Sequence, residues 1–347
     1  MILVYYEIRK WVVYPKSQRG QFGIHGQSIQ QELNWHKKKS RLGVCVVGYS
    51  QQNFTGEYRI SIKGKKLKPS KVSGNFIEIT DIGTFNEGDL IKIQVEVECK
   101  SGSPWQVTLY FTDSFREGEF PKPFSKERHL CKYAEALRAL AMDDRPHEVE
   151  YFGRKIIDQE SECSDAWAFL GMSATLQQNY STANRLLKRA VEIDDKNPIA
   201  WNRLGISLIN TGHMTESEDA FRKVFELESS CSAEALTAAA VLFTILIVTD
   251  RLSEAKDFVK NEASILENEH PDVTAELGSQ WLQGIKTVLD MYSGSKIYPK
   301  MSYPSQLASR EIEGFSSMIS EKYKILNDKG LIDRAKRLER IALGLNR

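Results

Sequence analysis

Histidines and cysteines are the residues whose spacing most directly declares chemistry, because paired at helix or strand intervals they hold metals or relay protons. His25, His36, His129, His147, His213 and His270 are scattered, with no H-x-x-x-H, H-E-x-x-H or H-x-H pattern. Cys45, Cys99, Cys131, Cys163 and Cys231 include no C-x-x-C pair and no histidine at zinc-finger spacing, so all five are expected to be reduced, packed side chains. Signatures for acyl transfer, nucleotide hydrolysis and dinucleotide binding (G-x-S-x-G, G-x-x-x-x-G-K-[ST], G-x-G-x-x-G) are missing from the sequence. The glycine-rich stretch Gly20 to Gly26 lies between strand-like runs with no helix after it, and reads as an exposed loop. The expectation is a chain that is not an enzyme, with no catalytic residue, metal or cofactor.

Cations are the remaining reactive type. Lys37, Lys38, Lys39 and Arg41 follow Trp35 and His36, while Lys63, Lys65, Lys66 and Lys68, with Lys71, surround a turn at Gly64. Beside an aromatic, such clusters fit contacts to the phosphates of nucleic acid or another polyanion; on edge strands, lysines also block edge-to-edge pairing. Over 347 residues, 47 Lys and Arg meet 46 Asp and Glu, for a net charge of +1. Residues 1–115 hold 16 of the cations and 10 of the acids, a net of +6, and residues 116–347 hold 31 and 36, a net of −5. The neutral total is therefore a cancellation between two regions. With 41% hydrophobic and 27% charged residues, collagen-like and wholly disordered classes are set aside. The stretch Met1 to Glu7 has no basic leader and no long apolar run, so a reducing cytoplasmic location is expected.

The elements that must position these residues change character along the chain. Ile2–Tyr6, Trp11–Tyr14, Gly43–Tyr49, Glu57–Ile62, Asn75–Ile79, Leu90–Glu98 and Trp105–Phe111 are β-rich runs between turn residues, and Ile91 to Glu98 alternates apolar and polar without a break. An all-β, sandwich-like domain of about seven strands is expected over residues 1–115. Cys45 and Cys99 have the order of an inter-sheet disulfide, but the tryptophan that would pack on it is missing and the pair is expected to stay reduced. Pro121 and Pro123 then mark a linker over 116–127.

Beyond the linker the apolar period becomes helical and the sequence repeats every 34 residues. Trp167, Leu170 and Gly171 recur as Trp201, Leu204 and Gly205, and Tyr180, Ala183, Leu187 and Ala190 align with Met214, Ser217, Phe221 and Val224. This pattern resembles the tetratricopeptide repeat, for about residues 128–270. The resemblance implies pairs of antiparallel helices stacked into a solenoid, with Gly allowing the second helix of each pair to approach the first. Asn197-Pro198 reads as a helix cap and first turn, and Thr215 with Glu218 as a capping box. Weaker units flank the two: one upstream at Tyr133, and one downstream at Leu252, Ala255 and Val259 if about four residues are inserted near 229–234. Ala235–Thr249, uncharged over 15 residues, is too short to span a bilayer and is expected to be a buried helix. Helical repeats are expected over 128–292 and capping helices over 293–347.

The family binds proteins on the concave surface lined by the first helices. The resemblance places Asp165, Ala168, Phe169 and Met172, then Asn202, Arg203, Ile206 and Ile209, on that surface. Ala168 and Met172 stand where a carboxylate clamp needs Lys and Asn, so an amphipathic helix fits the groove better than a chain terminus. Leu331, Ala335, Leu338, Ala342 and Leu345 form a heptad-like seam that could cap the array, dimerise or bind a partner. A non-catalytic protein-binding scaffold or adaptor is the expected function. The alternative is a regulator whose basic β domain contacts nucleic acid or another polyanion while the repeats recruit a protein.

Overall fold

The computed structural model describes the chain outside residues 1–5, 14–27, 35–39, 63–64, 68, 114–120, 123, 125–126, 228–231, 269–272, 296–300, 324–327 and 346–347. Two compact units emerge, Met1–Glu160 and Ser161–Arg347.

In the first unit, two antiparallel sheets face one another. One runs in the order β1 (Tyr6–Val13), β9 (Trp105–Thr112), β3 (Ser40–Tyr49), β7 (Phe76–Phe85). The other runs β2 (Ser28–Asn34), β8 (Leu90–Gly102), β4 (Phe54–Ile62), β5 (Lys65–Lys66), with β6 (Ser70–Ser73) also paired to β4. Alternation sends Val44, Val46, Leu109 and Phe111 of the first sheet and Ile60, Ile93, Val95 and Val97 of the second into one core. Phe54 stacks on Trp105 there with ring centres 4.7 Å apart.

The sandwich has nine strands among the described residues, against about seven expected. β2 escapes the alternation pattern because its sequence, Ser-Ile-Gln-Gln-Glu-Leu-Asn, is mostly polar, as suits a strand that among the described residues pairs with β8 alone. Trp11, Val12 and Val13 belong to β1, whereas Tyr14 and most of the expected Ile2–Tyr6 run lie outside the described residues.

The outer face of the β1-β9-β3-β7 sheet is buried as well. Cys45, Val47, Ile77, Thr108 and Tyr110 are each at most 1% exposed. Helices α1 (Ala134–Met142) and α2 (Pro146–Gln159) belong to the same unit and reach this face. Arg145, just before α2, donates from Nη1 to Thr108 Oγ1 and from Nη2 to Gln106 Oε1, each at 2.6 Å, and pairs with the buried Glu148. The Tyr49 and Tyr151 rings meet edge-on at 6.0 Å. A buried guanidinium whose carboxylate is removed costs roughly 3–5 kcal/mol, so the pair ties these helices to the sheet.

Cys45 and Cys99 are free and buried on opposite faces, Cys99 in the sandwich core and Cys45 outside it. Cys131 and Cys163, in contrast, are disulfide-bonded, which corrects the expectation of five reduced thiols. Disulfide formation depends on the approach of two Cβ atoms in space, which a spacing search along the chain cannot see. Cys231 lies outside the described residues.

The second unit is helical: α3 (Ser164–Leu176), α4 (Tyr180–Ile193), α5 (Pro198–Asn210), α6 (Met214–Leu227), α7 (Ala233–Val248), α8 (Leu252–Asn268), α9 (Val273–Tyr292), α10 (Tyr303–Tyr323) and α11 (Lys329–Leu345). The two good repeats are structurally equivalent down to single bonds. Trp167 Nε1 donates to Ser161 O and Trp201 Nε1 to Asp195 O, both at 2.8 Å. Each first helix ends in the same tight turn, with a residue at positive φ followed by an amide bonded five residues back: His213 to Leu208 O and Asn179 to Ala174 O. The positive-φ residues after α1, α3, α5 and α7 are Asp144, Gln178, Gly212 and Asp250, separated by 34, 34 and 38 residues, and Gly294 follows α9. The third interval contains the four-residue insertion anticipated between the second and third units. Helix α7 is almost wholly buried, as its uncharged sequence requires, and no helix among the described residues is long and apolar enough to cross a membrane.

Asn197 caps α5 through Oδ1, which accepts from Ala200 N at 3.0 Å, and Pro198 opens the helix. The capping box at Thr215 and Glu218 does not form. Helix α6 already includes both residues, and the Glu218 carboxylate instead takes Arg222 and Arg251.

Candidate protein-binding face

The first helices α3, α5, α7 and α9 stack side by side, and in α3 and α5 a glycine lets the second helix of the pair close in. A Cβ on Gly171 would stand 2.5 Å from Leu187 Cγ, and one on Gly205 would stand 2.7 Å from the Phe221 ring. Ala168 sits behind this row, in a core with Ala183, Leu187, Ala200 and Leu204, and so is packing rather than surface.

The face lined by the first helices is largely filled by the chain itself. Helices α10 and α11 pair with each other; α10 packs on α5, α7 and α9, and α11 on α7 and α9. Ile319 and Tyr323 of α10 and Leu331 and Ala335 of α11 share one apolar cluster with Ile209, Val241 and Ile245. Partly buried Ile206 packs against the same cluster, as do Phe315 and Met318. Polar contacts fix the docking: Asn210 Nδ2 lies 3.1 Å from Met318 Sδ, and the Tyr323 hydroxyl donates to Gly212 O at 2.9 Å. Arg334 donates to Val248 O at 2.7 Å, and Lys322 Nζ lies 4.8 Å from the Tyr180 ring centre. The heptad-like seam Leu331, Ala335, Leu338 and Ala342 is buried within the chain and is not a bare stripe.

The positions named by the repeat resemblance are thereby divided. On α5, Asn202, Arg203, Ile206 and Ile209 come together beside α10 or α7. Asn202 Nδ2 donates to Glu234 O at 2.8 Å, while its buried Oδ1 finds no partner among the described residues. Burial holds the Glu311 carboxyl on α10 above the ordinary carboxylate range, with the positive charge of Arg203 acting the other way. On α3, Asp165 accepts from Asn197 Nδ2 at 2.7 Å, and Phe169 and Met172 are buried. The capping helices expected over 293–347 include α10, but its docking on α5 and α7 was not foreseen, because serines at 305, 309, 316 and 320 blur its apolar face. The signal was present in Ile312, Phe315, Ile319 and Tyr323, spaced three to four apart.

Of the basic residues, Arg41 is held by Asp81 through Nε and Nη2 at 3.0 and 2.7 Å. Lys65 and Lys66 form β5, and Lys37, Lys38, Lys39, Lys63 and Lys68 lie outside the described residues. No group of three or more His, Cys, Asp or Glu able to hold a metal occurs among the described residues.

No family model matches the chain. A human PEX5-related protein is 29% identical over 90 residues, a stretch that covers 26% of this chain and 14% of that protein. Among solved structures, the apo form of the quorum sensor NprR from B. thuringiensis is similar with a TM-score of 0.41 at 12% identity, covering 62% of this chain and 64% of that one. PilF of Pseudomonas aeruginosa is similar with a TM-score of 0.37 at 13% identity, covering 62% of this chain and 93% of that one. The helical region is of the tetratricopeptide type, on the recurrence of its Trp, Leu, Gly and turn geometry. The class defined is a β-sandwich unit followed by a tetratricopeptide-type helical array.

Proposed function

We propose that the chain is a non-catalytic scaffold that holds a protein partner by taking an amphipathic helix against its first-helix face. One observation carries this reading: that face already grips a helix, α10, by setting Ile319 and Tyr323 into a cluster with Ile209 of α5 and Val241 and Ile245 of α7, and Ile312 into a second one with α7 and α9, with polar contacts at the margin. Helix-in-groove recognition uses apolar anchors at the same three-to-four-residue spacing. A partner helix would engage the face by replacing α10.

A reversible lock tests the reading. Cysteines replacing Asn210 and Met318, whose side chains touch, would tether α10 in place when oxidised. Affinity purification of the full chain should recover a protein from the reduced variant that the oxidised variant fails to retain. An identical set of bound proteins in both states would remove the first-helix face from the proposal.

A further inference from the structure

A second groove lies away from the α10 contact, between α8 and α9. Its volume is about 630 Å³, within the usual range for a ligand or helix-binding groove. Val259, Leu282 and Leu289 form an apolar floor, at 5%, 8% and 6% exposure. The α9 wall runs from Ser279 to Asp290, about three helical turns or about 16 Å at the ordinary helical rise, and Ser293 lies just beyond the helix.

Charge gives the groove its character. Lys256 and Lys260 stand on the α8 wall and Lys286 on the α9 wall, all exposed, against one acid, Asp290, among the described lining residues. None of the three ammonium groups has a carboxylate partner among the described residues. That excess is unusual for its setting, since residues 116–347 carry 36 acids against 31 basic residues. Elsewhere on the array surface, Lys188, Arg189, Arg222 and Lys223 are paired with glutamates.

We infer that the α8–α9 groove is a docking site for an acidic amphipathic helix of a protein partner. The apolar floor takes one face of that helix, and the lysines on both walls meet carboxylates flanking its apolar stripe. The three-turn length matches a helix rather than a compact ligand, and lysines on both sides select an acidic helix over a basic one. This site is separate from the α10 face, so either proposal can fail without the other.

The test uses the full chain and a fluorescein-labelled helical peptide of about 16 residues, long enough to fill the groove. Leucines line one face of the peptide and glutamates flank them; a control peptide carries lysines in place of the glutamates. Fluorescence anisotropy should show saturable binding of the acidic peptide that weakens with salt, and little binding of the basic one. The triple change Lys256→Glu, Lys260→Glu, Lys286→Glu, confined to exposed side chains, should weaken binding of the acidic peptide about tenfold or more. Thermal unfolding of the variant serves as the control for folding. Equal binding of both peptides, or binding indifferent to the triple change, would overturn the proposal. Displacement of the peptide by dodecanoate at stoichiometric concentration would reassign the groove to a small amphiphile. Self-association of the chain abolished by the triple change would reassign it to a second copy.

Discussion

Gly205 shows how a single atom sets the repeat. An alanine there would place its Cβ 2.7 Å from two atoms of the Phe221 ring, a rigid group that cannot bend aside as a long flexible side chain would. Overpacking of this kind costs about 1–3 kcal/mol, whereas the helix preference for alanine returns at most about 1 kcal/mol. Gly205→Ala is therefore expected to lower stability, read as a reduced urea midpoint, and the loss should shrink in a Phe221→Leu background. A loss of the same size in both backgrounds would mean that the close approach is not the cause. The positions of Trp167, Gly171, Trp201 and Gly205 were legible in the sequence because their side chains, or the lack of one, perform the same local task every 34 residues. The turn that ends each first helix was less legible. Gly212 and Gly294 advertise positive φ, while Asp144, Gln178 and Asp250 adopt it with side chains that ordinarily avoid it. Their conformation follows from the two helices that the turn must join.

Among the elements, α10 and α11 carry the largest difference between what sequence and structure convey. The heptad-like seam of α11 announced an apolar face but not its target, and three occupants remained open. The structure assigns that face to α7, α9 and α10, and it adds α10 as the helix that rests on α5. Glu311 is an electrostatic burden on this docking. Because burial raises its carboxyl above the ordinary value of 4.5, the docked state disfavours the charged form. The sign follows: the burden is absent while the unbound carboxyl is protonated, and it grows as pH rises through and above that value. Glu311→Gln is thus expected to slow hydrogen exchange of α10 amides near neutral pH, with the difference from wild type closing in acid. Faster exchange in the variant at neutral pH would show that the pairing with Arg203 outweighs burial.

For the whole molecule, the strand-rich part continues past the last strand. Helices α1 and α2 repeat the turn geometry of the array, yet they share a compact unit with the sandwich and carry the buried Arg145–Glu148 pair that reaches Thr108. A fragment of residues 1–160 should unfold cooperatively in urea. One ending at residue 127 should bind a hydrophobic dye and aggregate, because it bares Cys45, Val47, Ile77 and Tyr110. Equal solubility and cooperativity of the two fragments would place the boundary at the proline linker instead. What the sequence determined by itself was local and periodic. A period of 2 gave the strands, and a 34-residue recurrence gave the helix pairs, since both arise from which face of an element is apolar. Tertiary structure alone decided which apolar face meets which. It buried both sides of one sheet, filled the first-helix face with α10, and left three lysines around the α8–α9 floor. An apolar stripe specifies that it must be covered; the cover is selected by shape and by the polar groups at its rim, which only the folded chain brings together.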